Sequence, residues 1–226
     1  MLRAVIFDFD GVITDSEILH LRAFNQVLAQ FGVEISAKDY YQTYLGYTDV
    51  DCYKMLIDKG MLDIDERKIA DLIEQKMQIF EGLAKTEGRT IEGVRDFLRM
   101  LEQNSMPMAI CSGSLLAEIE LILEEARLRH FFAAIVSAEQ VKKGKPHPDG
   151  FLLALQKLNE ARQTPIAPYE CVAIEDSSWG LEAATAAGMH TIAVTNSYGA
   201  EELSLAEKIV CRLNELTIED LQQLCV

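Results

Sequence analysis

The chain has 226 residues, 49% of them hydrophobic, and its 36 acidic against 21 basic side chains give a formal net charge of -15. That length allows one or two domains with a packed core, while that charge excludes nucleic acid and anionic lipid as partners unless a basic stripe is segregated, and none is visible. The apolar runs are short and broken by charge, which excludes a membrane-spanning segment. The opening Met1-Leu2-Arg3 leads straight into a strand-like run and not into a basic, apolar and small-residue leader, so a cytoplasmic location is expected. Cysteines at 52, 111, 171, 211 and 225 form no Cys-x-x-Cys pair, and Cys111, Cys171 and Cys211 sit in apolar runs as small hydrophobes; neither disulfides nor a zinc cluster is expected.

Residues 5–9 form a short apolar run ending at a glycine-containing turn, the pattern of a buried parallel strand. From residue 16 the spacing becomes helical, with Leu19, Ala23, Val27 and Leu28 apolar and a stop at Gly32. Helical patterns continue over 38–44, 49–59 and 65–83 with no strand between them. An all-helical insertion over residues 16–86 is expected, dividing a core made of residues 1–15 and 87–226. Beyond Thr90, helices and strands alternate: helix 93–103, strand 108–111, helix 115–126, strand 134–137, helix 149–158, strand 171–175, helix 180–187 and strand 191–194. This order implies right-handed crossovers and an α/β fold with a doubly wound, Rossmann-like parallel sheet. Ligands of such sheets bind outside the carboxyl ends of the strands. Those ends carry Asp8 and Asp10, Ser112, and Glu175 with Asp176.

Asp8 and Asp10 are two positions apart, so in an extended segment both side chains lie on one side. Gly11 allows a sharp turn that can aim the Asp10 carbonyl and carboxylate at one ion. Hard oxygen donors of this kind suit Mg²⁺, and Glu175 and Asp176 complete an expected metal set of Asp8, Asp10, Glu175 and Asp176. A carboxylate can be a covalent nucleophile, forming an aspartyl phosphate. Asp10 is then placed to protonate the leaving alkoxide and later to deprotonate water. The hydroxyl and amides around Ser112, Gly113 and Ser114, with the ammonium of Lys145, can cradle the phosphoryl oxygens. Pro146 restricts the Lys145 backbone to extended conformations. The plainer readings are a solvated acidic turn, serines that cap the helix starting near residue 115, and a surface lysine. The combination of motifs at successive strand ends weighs against them.

The motifs Asp8-Phe9-Asp10-Gly11-Val12-Ile13-Thr14-Asp15-Ser16, Cys111-Ser112-Gly113-Ser114, Gly144-Lys145-Pro146-His147-Pro148-Asp149-Gly150-Phe151 and Ile174-Glu175-Asp176-Ser177, followed by Gly180 and Ala187-Gly188, run through almost the whole chain. Together they closely resemble the haloacid dehalogenase superfamily of aspartate-nucleophile phosphatases. The resemblance is to the branch with a helical cap inserted after the first strand, which includes β-phosphoglucomutase and related sugar-phosphate phosphatases. It implies that Asp8 is nucleophile and metal ligand, that Asp10 is acid and base with its carbonyl on the metal, that Ser112 and Lys145 bind phosphate, and that Glu175 and Asp176 form the metal end. It further implies a cap that lies over the site and excludes water, with His20 and Gly46 facing the substrate.

One position departs from the pattern. Asp49 stands where the sugar-phosphate mutases resembling this chain carry an arginine for the distal phosphate, and Lys76 is the candidate compensating cation. The departure favours a phosphatase over a mutase. With the Mg²⁺ set above, the expected reaction is hydrolysis of a small phosphorylated metabolite, a sugar or polyol phosphate. Two compact domains without an obvious apolar patch make a monomer the expected form. The alternatives are a phosphomutase of the β-phosphoglucomutase type and a non-catalytic binding protein of the same fold. A dehalogenase would have no use for Asp10.

Overall fold

The computed structural model describes residues 1–44, 47–87, 90–160 and 162–225. It divides into two compact units, Met1–Asp15 with Arg89–Val226, and Ser16–Gly88. The first is built on a six-stranded parallel sheet in the order β3-β2-β1-β4-β5-β6. Its strands are β1 (Ala4–Phe7), β2 (Met108–Cys111), β3 (Ala134–Val136), β4 (Cys171–Glu175), β5 (His190–Val194) and β6 (Lys208–Val210).

Every residue of β1 is fully buried, because both faces of the sheet are covered. Ala4 and Ile6 join a core cluster with Ala109, Ala173, Phe151 and Ala154. On the opposite face the ring of Phe7 meets those of Phe97 and Phe132 edge-on, at centroid separations of 6.0 and 5.9 Å. A strand buried on both sides gains from every side chain, at roughly 1.5–3 kcal/mol for each large apolar residue, and so reads as an unbroken apolar run.

The helices of this unit are α5 (Val94–Gln103), α6 (Leu116–Glu125), α7 (Asp149–Asn159), α8 (Ser178–Ala186) and α9 (Ile218–Leu224); the second unit holds α1 (Glu17–Leu28), α2 (Ala37–Asp39), α3 (Asp49–Asp58) and α4 (Ile69–Glu87). The chain passes from β1 to β2 and β3 on one side, then returns to β4 on the other. β1 is therefore the strand at which the crossovers reverse, flanked by β2 and β4, and it is outside the carboxyl ends at such a switch point that open α/β sheets bind ligands.

The helical unit has its own core, in which Leu21, Phe24 and Leu28 of α1 pack with Tyr53 and Leu56 of α3 and Leu72 of α4. α4 runs through Glu87, past the expected boundary at residue 86. The helix expected over 38–44 is a short α2 continued by a π-helical turn, Tyr40–Tyr44, in which Tyr40 and Tyr44 are buried. All five cysteines are free; four are buried, but Cys211 is exposed, contrary to its expected place in an apolar core, because it follows the half-buried edge strand β6. Among the described residues no helix is long and apolar enough to cross a membrane.

Candidate active site

The ladder between β1 and β4 continues one residue beyond β1, where the Asp8 N–H donates to the Ile174 carbonyl at 2.9 Å. This register sets the Asp8 side chain beside Glu175 and Asp176 at the end of β4. Ligand atoms of the three carboxylates lie within 4.8 Å of one another, and all three residues are buried. Lys145 comes from the loop before α7, through a cis peptide bond to Pro146. Its ammonium donates to Asp8 Oδ1 and to Glu175 Oε1, each at 2.5 Å, and lies 5.4 Å from the centroid of the Phe151 ring.

Charge explains the titration of this group. Three buried carboxylates face one ammonium, which leaves a deficit of two positive charges. Burial, with the neighbouring Asp8 carboxylate, pushes Glu175 up to about 7 against the pull of Lys145, and raises Asp176 well above the usual carboxylate range. Burial alone would lower Lys145, but the Asp8 and Glu175 carboxylates outweigh it and hold the ammonium well above its ordinary value. A divalent cation would cancel the deficit, and hard carboxylate oxygens are the donors that magnesium prefers. The residues present therefore fit a divalent metal.

Supporting contacts hold the acids in place. Glu175 Oε2 accepts from the Ser177 hydroxyl at 3.0 Å and from the Asp176 N–H at 3.2 Å. Asp176 is hydrogen-bonded by the Ser197 side chain. Gly11 turns the chain with φ +78°, and a Cβ there would come within 1.8 Å of Asp176 Oδ2, so only glycine permits this approach. Asn196 closes the turn by donating from Nδ2 to the Gly11 carbonyl at 2.7 Å.

The Asp10 carboxylate is engaged by the loop after β2. Its Oδ2 accepts from the hydroxyls of Ser112, at 3.4 Å, and of Ser114, in the loop after β2. Asp10 is thus brought to the site, but its carboxylate is not among the three that cluster, Asp8, Glu175 and Asp176. The two serines do not cap the following helix. At the start of α6 the N–H of Leu115 goes to Glu118 Oε2 at 3.2 Å and that of Leu116 to Glu139 Oε2 at 2.9 Å. Gly113 lies between the serines with open space at its Cα.

His20 belongs to a cluster inside the helical unit. Its Nδ1 is 2.7 Å from Lys76 Nζ, and its ring stacks on Phe80 at 4.2 Å. Burial, aided by Lys76, lowers the imidazole well below its usual value, so Nδ1 accepts from the ammonium and Nε2 carries the ring proton. Lys76 is 1% exposed and pairs with Asp49 Oδ2 at 3.0 Å. Gly46 lies outside the described residues.

Sequence reasoning quoted Ser177 in its motif without giving it a role, and passed over Asn196 and Ser197. The last two follow the carboxyl end of β5, so the strand-end rule that selected Asp8, Ser112 and Glu175 would have selected them too.

A family model described as haloacid dehalogenase-like hydrolase matches residues 5–194. The chain belongs to this family. It is 31% identical to the fructose-1-phosphate phosphatase of Escherichia coli over 193 residues, which covers 84% of the chain and 95% of that protein. It is 32% identical to hexitol phosphatase B of Escherichia coli, over 97% of the chain and 96% of the relative. Its fold matches the crystal structure of β-phosphoglucomutase from Clostridium difficile with a TM-score of 0.84 and 26% identity, over all of the chain and 97% of that one. This kinship makes the chain an enzyme of the phosphatase kind, and its two units are the Rossmann-like core and inserted helical cap of the family.

Proposed function

We propose that the chain hydrolyses a small phosphomonoester, a sugar or polyol phosphate, through an aspartyl phosphate on Asp8. The observation that carries this reading is the division of labour between the two aspartates: Asp8 is held among cationic and acidic partners, while Asp10 is turned to the hydroxyl loop. Asp8 Oδ attacks phosphorus, a new O–P bond forms and the bond to the substrate oxygen breaks. Asp10 gives its proton to the departing alkoxide. Water then loses a proton to Asp10 and attacks the same phosphorus, breaking the O–P bond to Asp8 and releasing inorganic phosphate. Ser112, the Gly113 amide and Lys145 bind the phosphoryl oxygens, and Lys145 orients Asp8 through their ion pair. Magnesium, held by Asp8, Glu175, Asp176 and the Asp10 carbonyl, would supply the positive charge that lets two anions meet.

The substrate class is supported by the relatives named for fructose 1-phosphate and hexitol. In the cap unit Lys76, the cation that could have offset Asp49, is bonded to Asp49 itself; that supports a substrate with one phosphate over the bisphosphate of a mutase. We place the reaction in the cytoplasm, where five free thiols stay reduced, and take the monomer as the acting form.

The test is a panel of phosphorylated sugars, polyols, nucleotides and small acids, followed by free phosphate with magnesium present or chelated. Asp8→Asn serves as the blank. Magnesium-dependent release that disappears in the blank is expected. Conversion of a hexose 1-phosphate to its 6-phosphate without free phosphate would replace hydrolysis by transfer, and silence in both assays would leave a binding protein.

A further inference from the structure

The loop after β2 carries two hydroxyls with different bonding. Ser112 Oγ accepts the Ser114 N–H at 2.9 Å and donates to Asp10 Oδ2 at 3.4 Å, a long bond. Ser114 Oγ donates to the same oxygen, and among the described residues its hydroxyl takes part in no other contact of the loop. The usual occupation of serines before a helix is already filled at α6, where Glu118 and Glu139 take the Leu115 and Leu116 amides. Backbone bonds from Ser112 N–H to the Val136 carbonyl, 2.9 Å, and from Ala138 N–H to the Ser114 carbonyl, 3.1 Å, tie the loop to β3 and its extension. The hydroxyls are thus presented to Asp10 from a braced backbone.

We infer that Ser114 is a positioning residue that holds Asp10 for proton transfer while Ser112 is given over to the phosphoryl group. This inference rests on the aspartyl-phosphate mechanism above. Ser112 has one hydroxyl proton; when a phosphoryl oxygen takes it, its bond to Asp10 is lost and Ser114 keeps the carboxylate. With Oδ2 held, the Asp10 carboxyl is kept in one orientation while it gives its proton to the leaving alkoxide and later receives one from water. Ser114 touches neither the phosphorus nor the transferred proton. The role differs from the substrate contact expected of it from the sequence, and the two are separable: a substrate ligand acts on binding, whereas a positioning hydroxyl acts on turnover.

The experiment measures kcat and KM separately for Ser114→Ala and Ser114→Thr on a substrate found by the phosphate-release panel. Displacing a reacting group by about 1 Å costs on the order of 100-fold. Ser114→Ala is therefore expected to lower kcat by roughly 10- to 100-fold with KM changed by less than about twofold, and Ser114→Thr, which keeps the hydroxyl, to restore most of the loss. Should the alanine variant not fold, Ser114→Cys, close in size and a weak donor, is expected to show the same loss. An unchanged kcat, a raised KM at full kcat, or equal losses in the alanine and threonine variants would each overturn the assignment. A wild-type protein without magnesium-dependent release, or one whose release survives Asp8→Asn, would instead sink the mechanism and this inference with it.

Discussion

Gly180→Ala is expected to destabilise the core although it replaces glycine inside a helix. Gly180 lies in the first turn of α8, where the change to alanine ordinarily stabilises by up to about 1 kcal/mol. Here a Cβ would stand 2.0 Å from Glu175 Cδ and 2.1 Å from each carboxylate oxygen. Glu175 is completely buried, with Oε1 on Lys145 and Oε2 on Ser177, so it has no solvent to retreat into and must give up those partners. Breaking a buried ion pair costs about 3–5 kcal/mol. Set against the helical gain, the net loss is about 2–4 kcal/mol, or roughly 4–16 °C in Tm for a protein of this size. Gly82→Ala, in α4 with nothing within 4 Å of its Cβ position, is the control and is expected to gain up to about 1 kcal/mol. Urea unfolding of both variants, with magnesium titrated calorimetrically into Gly180→Ala, reads stability and metal binding together. A Gly180→Ala protein as stable as wild type and with undiminished magnesium affinity would refute the close approach on which the reasoning depends.

Asp10→Asn is expected to slow turnover by about 10²- to 10⁴-fold while leaving calorimetric magnesium affinity within a few-fold of wild type, because the Asp10 carboxylate lies outside the acidic trio. Glu175 and Asp176 titrate higher in the folded protein than unfolded, so their contribution to stability is full below about pH 4 and is lost as pH rises toward the Glu175 value of about 7. The chelated protein should therefore show a larger magnesium-induced rise in Tm at pH 7.5 than at pH 5, with protons released on binding; equal rises would contradict this. Asp49→Ala removes the carboxylate from the buried Lys76 ammonium and should destabilise the cap unit by about 3 kcal/mol, and Lys76→Met added to it should recover much of that loss in a double-mutant cycle.

The parts legible in the sequence are those whose chemistry is local. β2 and β4 fall on the residues expected because a strand covered on both faces is an apolar run with abrupt ends. α8 begins two residues early because Ser177 caps it, its hydroxyl accepting the Gly180 N–H at 3.2 Å, a contact that the apolar spacing does not register. β6 and α9 went unread: β6 is three residues at a sheet edge, two of them only half-buried, and α9 is seven residues long, too little for either period to emerge. Within the site, the residue types at strand ends were readable. The partners that orient them, Ser197 on Asp176 and Ser114 on Asp10, join segments separated by about 20 to 100 positions, and only the folded sheet brings them side by side.

The order of the strands also bears on how the protein is made. β1 lies at the middle of the sheet, yet its two neighbours begin only at residues 108 and 171. At about 5–20 residues per second of synthesis, Asp8 emerges roughly ten seconds or more ahead of Glu175 and Asp176. The helical unit, contiguous over 16–88, has all its core partners in hand during that interval. Pairing of distant strands is the slow kind of contact to form, so the nascent chain is expected to carry a folded helical unit on an unfinished sheet. The acidic trio then assembles in one late event, and a chain interrupted before β4 lacks two of its three acids.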